Sequence, residues 1–167
     1  MSFHNKLKEW EQFSSYDGCP VCQQWPKPDG EVVIKEFPAS WLIATPSISC
    51  LYGQCCIVSK IHAIELYELD EAELANYMKE VQISAKALKE VTKAIKINYE
   101  IHGNSIPHLH MHLYPRHQND RFEGIPINAY KIEGSVYKGT EFYDFIDKMK
   151  TAINDECNKA FSGIETS

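Results

Sequence analysis

With 167 residues the chain has the length of one ordinary domain and can bury one core. Its residues are 44% hydrophobic, 11% aromatic and 24% charged, a globular composition, and no apolar stretch is long enough to cross a bilayer. The net charge of −6, without a basic tract, argues against binding nucleic-acid backbone or an anionic membrane, but leaves room for a small anion in a donor-rich pocket.

The N-terminal MSFHNKLKEWEQF lacks the apolar centre of a signal peptide, so a cytoplasmic location is expected. Phe3, Leu7, Trp10 and Phe13 recur at helical spacing within residues 1–14. Residues 15–31 read as a loop, with Tyr16-Asp17-Gly18, prolines and Gly30. It carries a C-x-x-C knuckle, Cys19 to Cys22, which serves equally as a redox pair, two buried thiols or half of a zinc site. No helix is expected after it, which weakens the redox reading. Strands are expected over 32–37, 41–44 and 54–59. On the third, Cys55 and Cys56 are adjacent and point to opposite faces.

The clearest helix is expected over 70–96. Leu74, Tyr77, Met78, Val81, Ala85, Leu88 and Ile95 share a face, Asp70 and Glu73 form a capping box, and Lys93 and Lys96 suit the last turn. Strands are expected over 97–102 and 108–114, joined by a turn at 102–105 and ended by Pro115. A final helix fits 141–154, capped by Thr140, with Phe142, Phe145, Ile146, Met149 and Ile153 buried. This order predicts an α+β domain, a mostly antiparallel sheet with a long helix packed on it. Residues 1–31 form an N-terminal helix and knuckle loop, 32–116 the core and 117–167 a C-terminal extension. No Gly-rich phosphate loop follows any strand.

Three of the seven histidines stand in the run His108-Leu109-His110-Met111-His112. A strand alternates faces with period two, so the three imidazoles emerge on one side and Leu109, Met111 and Leu113 on the other. Neutral imidazole is available near pH 7, and one nitrogen stays nucleophilic while the other donates a hydrogen bond. The same spacing also suits three ligands of one catalytic zinc. Just upstream, Gly103-Asn104-Ser105 offers backbone N–H groups, an amide and a hydroxyl, the donors that a phosphate needs.

The run HLHMHLY followed by Pro115-Arg116 resembles the histidine triad (HIT) superfamily, as does the segment from Tyr52 through Lys60 and His62 to the long helix. The resemblance covers about Val32 to Arg116. It implies a nucleotide hydrolase or transferase acting at the α-phosphate of a dinucleoside polyphosphate or a nucleoside phosphoramidate. His110 would attack phosphorus and form a nucleotidyl-histidine. His112 would contact the phosphate and the leaving group, with Asn98, Asn104, Ser105 and Arg116 binding substrate. No divalent ion is required by that scheme, and the family is commonly a homodimer. The resemblance also implies a structural zinc held by Cys19, Cys22, His62 and His108. Two other readings stay open: a hydrolase using His108, His110 and His112 as zinc ligands, and a non-catalytic nucleotide-binding module.

Overall fold

The computed structural model describes residues 2–24, 30–128 and 136–162, with side chains to residue 160. The expected loop at 25–29, and the stretches 129–135 and 163–167 of the expected C-terminal extension, lie outside the described residues.

In chain order the elements are α1 Leu7–Phe13, α2 Pro20–Gln24, β1 Val32–Glu36, β2 Ser40–Ala44, β3 Cys55–Ser59, α3 Glu71–Thr92, β4 Lys96–Glu100, β5 His110–Arg116 and α4 Glu141–Ser162. The five strands form one sheet in the order β1-β2-β3-β5-β4, with every neighbouring pair antiparallel. The fold is α+β.

Register assigns the two faces of the sheet. Leu42 pairs with Ile57, and Ile57 with Met111; this row belongs to the main core with Leu113, Tyr77, Leu88, Phe145 and Met149. Each such buried side chain contributes about 1.5–3 kcal/mol. One residue along, Ile43 pairs with Cys56, Cys56 with His112 and His112 with Glu100. Trp41, Val58 and His110 form the parallel row. Period two therefore places α3 and α4 against one face and turns the histidines to the other.

α3 begins as expected: Asp70 Oδ1 accepts from Glu73 N–H at 2.8 Å and Glu73 Oε2 from Asp70 N–H at 2.9 Å. It stops earlier than expected, because Lys93 takes a left-handed conformation (φ 56°), and Lys96 already belongs to β4. Its buried face is also rotated from the expected one. Of the expected residues Tyr77, Val81, Ala85 and Leu88 are buried, joined by Glu80, Ser84 and Thr92, whereas Leu74, Met78 and Ile95 are 36%, 41% and 68% exposed. The polar member Glu80 belongs there because it accepts from Ala39 N–H and Ser40 Oγ–H, tying the helix to the β1–β2 turn.

Three further expectations are corrected. The knuckle does not lie in a plain loop, since Pro20 starts the short helix α2, a position where a missing N–H is harmless. Pro115 does not end β5. The β3 register stops at Leu113, so Pro115 stands where β5 has one strand neighbour and the sheet tolerates it. α4 runs on to Ser162, and Thr140 donates to the Asp144 carboxylate at 3.1 Å rather than capping a backbone N–H. The apolar residues expected on α4 are all buried.

Candidate active site and metal centre

Of the three expected strand histidines, only His110 and His112 lie in β5; His108 precedes it and is 1% exposed. Each ring is fixed differently. The Nε2–H of His108 donates to the Ser59 carbonyl at 2.8 Å, which turns Nδ1 toward Cys19 Sγ (3.4 Å) and Cys22 Sγ (3.6 Å). The Nε2–H of His62 donates to the Ser14 carbonyl at 2.9 Å and its Nδ1 lies 3.3 Å from Cys22 Sγ. A carbonyl can only accept, so both rings carry a proton on Nε2 and turn Nδ1 to the thiols.

The ligand atoms of Cys19, Cys22, His62 and His108 all lie within 4.8 Å of one another. Tetrahedral zinc with Zn–S of about 2.3 Å and Zn–N of about 2.0–2.1 Å spaces N and S about 3.5 Å apart, close to the contacts here. The Ser59 and Ser14 carbonyls supply the orientation that metal-ligating histidines need. Burial, reinforced by Cys19, pushes the Cys22 thiol up to about 12, so thiolate there needs a cation. The residues fit a structural zinc. Among the described residues no other group of three or more such side chains converges, and both ring nitrogens of His108 are engaged, by the Ser59 carbonyl and the knuckle thiols. The reading of three strand histidines around one catalytic zinc is therefore not supported by the geometry.

His110 donates its Nδ1–H to the carbonyl of His108 at 2.6 Å, leaving Nε2 with its lone pair. Burial, with a smaller contribution from nearby His102, holds its pKa below the ordinary imidazole value. His112 packs edge to face with His110, centroids 5.1 Å apart, and stacks on Tyr114. Burial first, then His110 and His102, lower its pKa to about 3. Its Nδ1 is buried and makes no hydrogen bond among the described residues. Two neutral imidazoles thus stand side by side at pH 7.

Two cavities meet at these rings. On the β2–β3 side lies an apolar slot of about 150 Å³, lined by Val21, Ile43, Ile48, Val58 and Ile106 among others. On the β4 side lies a wider cleft of about 670 Å³, bounded by Glu100, His102, Asn104, Ser105 and Tyr114 among others. The Asn104–Ser105 turn is held from outside: Trp10 Nε1–H donates to the Gly103 carbonyl and Phe3 N–H to the Asn104 carbonyl, both at 2.9 Å. The N-terminal segment thereby positions the donor loop.

The remaining expected residues separate. Asn98 pairs with Tyr114 on the histidine face but does not line the cleft. Arg116 is turned away from it. Its guanidinium binds the Asp120 carboxylate at 2.7 and 3.0 Å and the Phe122 carbonyl at 2.6 Å, closing the turn after β5. Sequence reading missed Glu100 and His102, which pair at 2.9 Å in the cleft wall. The signal was available, because Glu100 shares the parity of Asn98 on its strand.

The HIT domain model matches residues 40–119. No curated protein matches the chain. Among solved structures, a histidine triad protein from Bradyrhizobium japonicum is similar at 26% identity and TM-score 0.65, over 75% of this chain and 92% of that one. A Zn-bound histidine triad family protein from Mycobacterium smegmatis shares the fold at 16% identity and TM-score 0.61, over 87% and 99% of the two chains. So does a protein from Sulfolobus tokodaii described as a hypothetical histidine triad nucleotide-binding protein, at 17% identity and TM-score 0.62, over 82% and 91%. The histidine strand and its two neighbours in the sheet fall inside the matched region, so the chain carries a HIT domain over residues 40–119.

Proposed function

We propose that this protein cleaves nucleotides at the α-phosphate through a covalent nucleotidyl-histidine on His110. The hydrogen bond from His110 Nδ1–H to the His108 carbonyl carries the reading, because it fixes the tautomer that leaves Nε2 nucleophilic. The lone pair of Nε2 forms the N–P bond as the bond from phosphorus to the leaving group breaks. Water then attacks the same phosphorus, the N–P bond breaks, and a nucleoside monophosphate is released. His112 sits beside His110 as a neutral ring able to donate to a phosphate oxygen, and Asn104 and Ser105 add donors from the cleft rim. The apolar slot suits a base.

In this reading zinc is structural. Cys19, Cys22, His62 and His108 would hold it, and it would supply a cross-link between the N-terminal segment and the start of the histidine strand. The Zn-bound relative from Mycobacterium smegmatis supports that choice of metal. Denaturant quench at alkaline pH of a reaction with nucleotide labelled at the α-phosphate tests the mechanism. Label is expected on the protein, acid-labile, and mapped to the peptide containing His110. Turnover without any protein-bound label contradicts it.

A further inference from the structure

We propose that Glu31 makes the apolar slot selective for guanine, whose outer edge brings two adjacent N–H donors to the carboxylate. The inference rests on the nucleotide reading above, with the base in the slot and phosphorus at His110. Sheet register orders the slot from end to end. Val33 pairs with Ile43, Ile43 with Cys56 and Cys56 with His112, one row across β1, β2, β3 and β5 on the histidine face. Glu31 stands two residues before Val33, so it shares that face, and it lines the slot with Thr45 and Cys56. Burial first, then the charge of Glu31, raise the pKa of the Cys56 thiol, which puts the carboxylate near that side chain. In the order β1-β2-β3-β5 the outer two strands are three spacings apart, about 14 Å. Glu31 and the histidines reach in from opposite ends of that span, leaving a nucleoside 5′-phosphate to bridge them. With phosphorus at the histidines, the outer edge of the base arrives at Glu31.

The donor pattern of the base decides which one fits. Beside the two neutral histidines, Glu31 is the one charged side chain lining the slot among the described residues. A carboxylate only accepts, through two oxygens with about four lone-pair sites, so it takes donors from a ligand beside any it has from the protein. Guanine presents N1–H and the 2-amino group side by side, one donor for each oxygen. Adenine sets a bare N1 beside its 6-amino group, and cytosine a bare N3 beside its 4-amino group, so each turns a lone pair on the second oxygen. Uracil has one N–H between two carbonyls. In an apolar wall such a mismatch is costly, because water is not there to absorb it. The Ser49 hydroxyl, which lines the same slot, already donates to the Thr45 carbonyl at 2.7 Å and offers no proton to a bare ring nitrogen.

The test is calorimetric titration of the full chain with GMP, IMP and AMP, in wild type and in Glu31→Gln. Wild type is expected to bind GMP on the order of a hundredfold more tightly than AMP, the weight of a hydrogen bond to a charged group. IMP keeps N1–H and lacks the 2-amino group, so its Kd should fall between the two. Glu31→Gln replaces one acceptor by a donor and should bring GMP and AMP to within about fivefold of each other. Its Tm checks that it folds, and if it does not, the wild-type series of three decides alone. Wild-type AMP binding as tight as GMP, IMP as tight as GMP, or a folded Glu31→Gln that keeps the full preference overturns the proposal, as does failure of all three to bind. The ligands are monophosphates, so no turnover is needed. A guanine preference without any labelled protein intermediate would refute the reaction and leave the assignment of Glu31 standing.

Discussion

His110 and His108 are coupled through one hydrogen bond: the Nδ1–H of His110 donates to the main-chain oxygen of His108 at 2.6 Å. The residue whose ring faces the knuckle thiols therefore also sets the tautomer of His110. The Cys19 thiol faces the His108 ring, the His108 carbonyl orients His110, and the period-two strand places His112 beside it.

The first consequence concerns the metal. Cys22→Ala removes a thiol that lies within 3.6 Å of both Nδ1 atoms, so zinc content should fall from near one per chain toward zero by elemental analysis. Where free zinc stands at about a hundredfold over its Kd, its loss removes about 2.7 kcal/mol of stability, read as a lower Tm. Turnover should weaken without vanishing, because His110 and His112 are not ligands. Unchanged zinc content in Cys22→Ala contradicts the ligand set.

A second consequence is a pH dependence of stability. The pKa of His112 falls to about 3 in the folded protein, against an ordinary value of 6.5. Above about pH 6.5 the ring is neutral in both states and adds no pH dependence. Between about 6.5 and 3 the unfolded chain takes up a proton that the folded one refuses, so stability falls as pH falls, by about 1.4 kcal/mol per pH unit for one proton. Urea unfolding of wild type and His112→Phe across pH 7 to 5 isolates this group, with a shallower slope expected in the variant. Parallel slopes count against a buried neutral His112.

A third concerns the turn before β3. Gly53 has φ +80°, and a Cβ there would meet the Thr92 methyl and come within 3.3 Å of Pro115 Cγ. Gly53→Ala should destabilise by about 1–3 kcal/mol, from left-handed strain and overpacking together. Thermal unfolding checks it, with the affinity of the folded protein for nucleotide retained. An unchanged Tm contradicts this account of the turn.

The sheet, both long helices and the two faces of the histidine strand were legible because period two and period 3.6 are local properties of the chain. What failed needed tertiary information. The helical period allowed two overlapping apolar faces on α3, and only the sheet selects Tyr77–Val81–Leu88 over Leu74–Met78–Ile95. Arg116 looked available because its partner Asp120 reaches it through a turn that closes behind β5. Period two alone gives the three histidines one face; that His108 turns to the knuckle, as the resemblance implied, depends on the Ser59 carbonyl and the two thiols, which periodicity does not show.

Attack of His110 Nε2 on phosphorus is probed by His110→Asn. The amide cannot form the covalent intermediate, and the cavity around it is otherwise retained. Single-turnover rates should fall by about 10³-fold or more, while the Kd for nucleoside monophosphate stays within about threefold of wild type, since the lost interaction belongs to the transition state. A His110→Asn enzyme that turns over nucleotide within about tenfold of the wild-type rate would contradict the account.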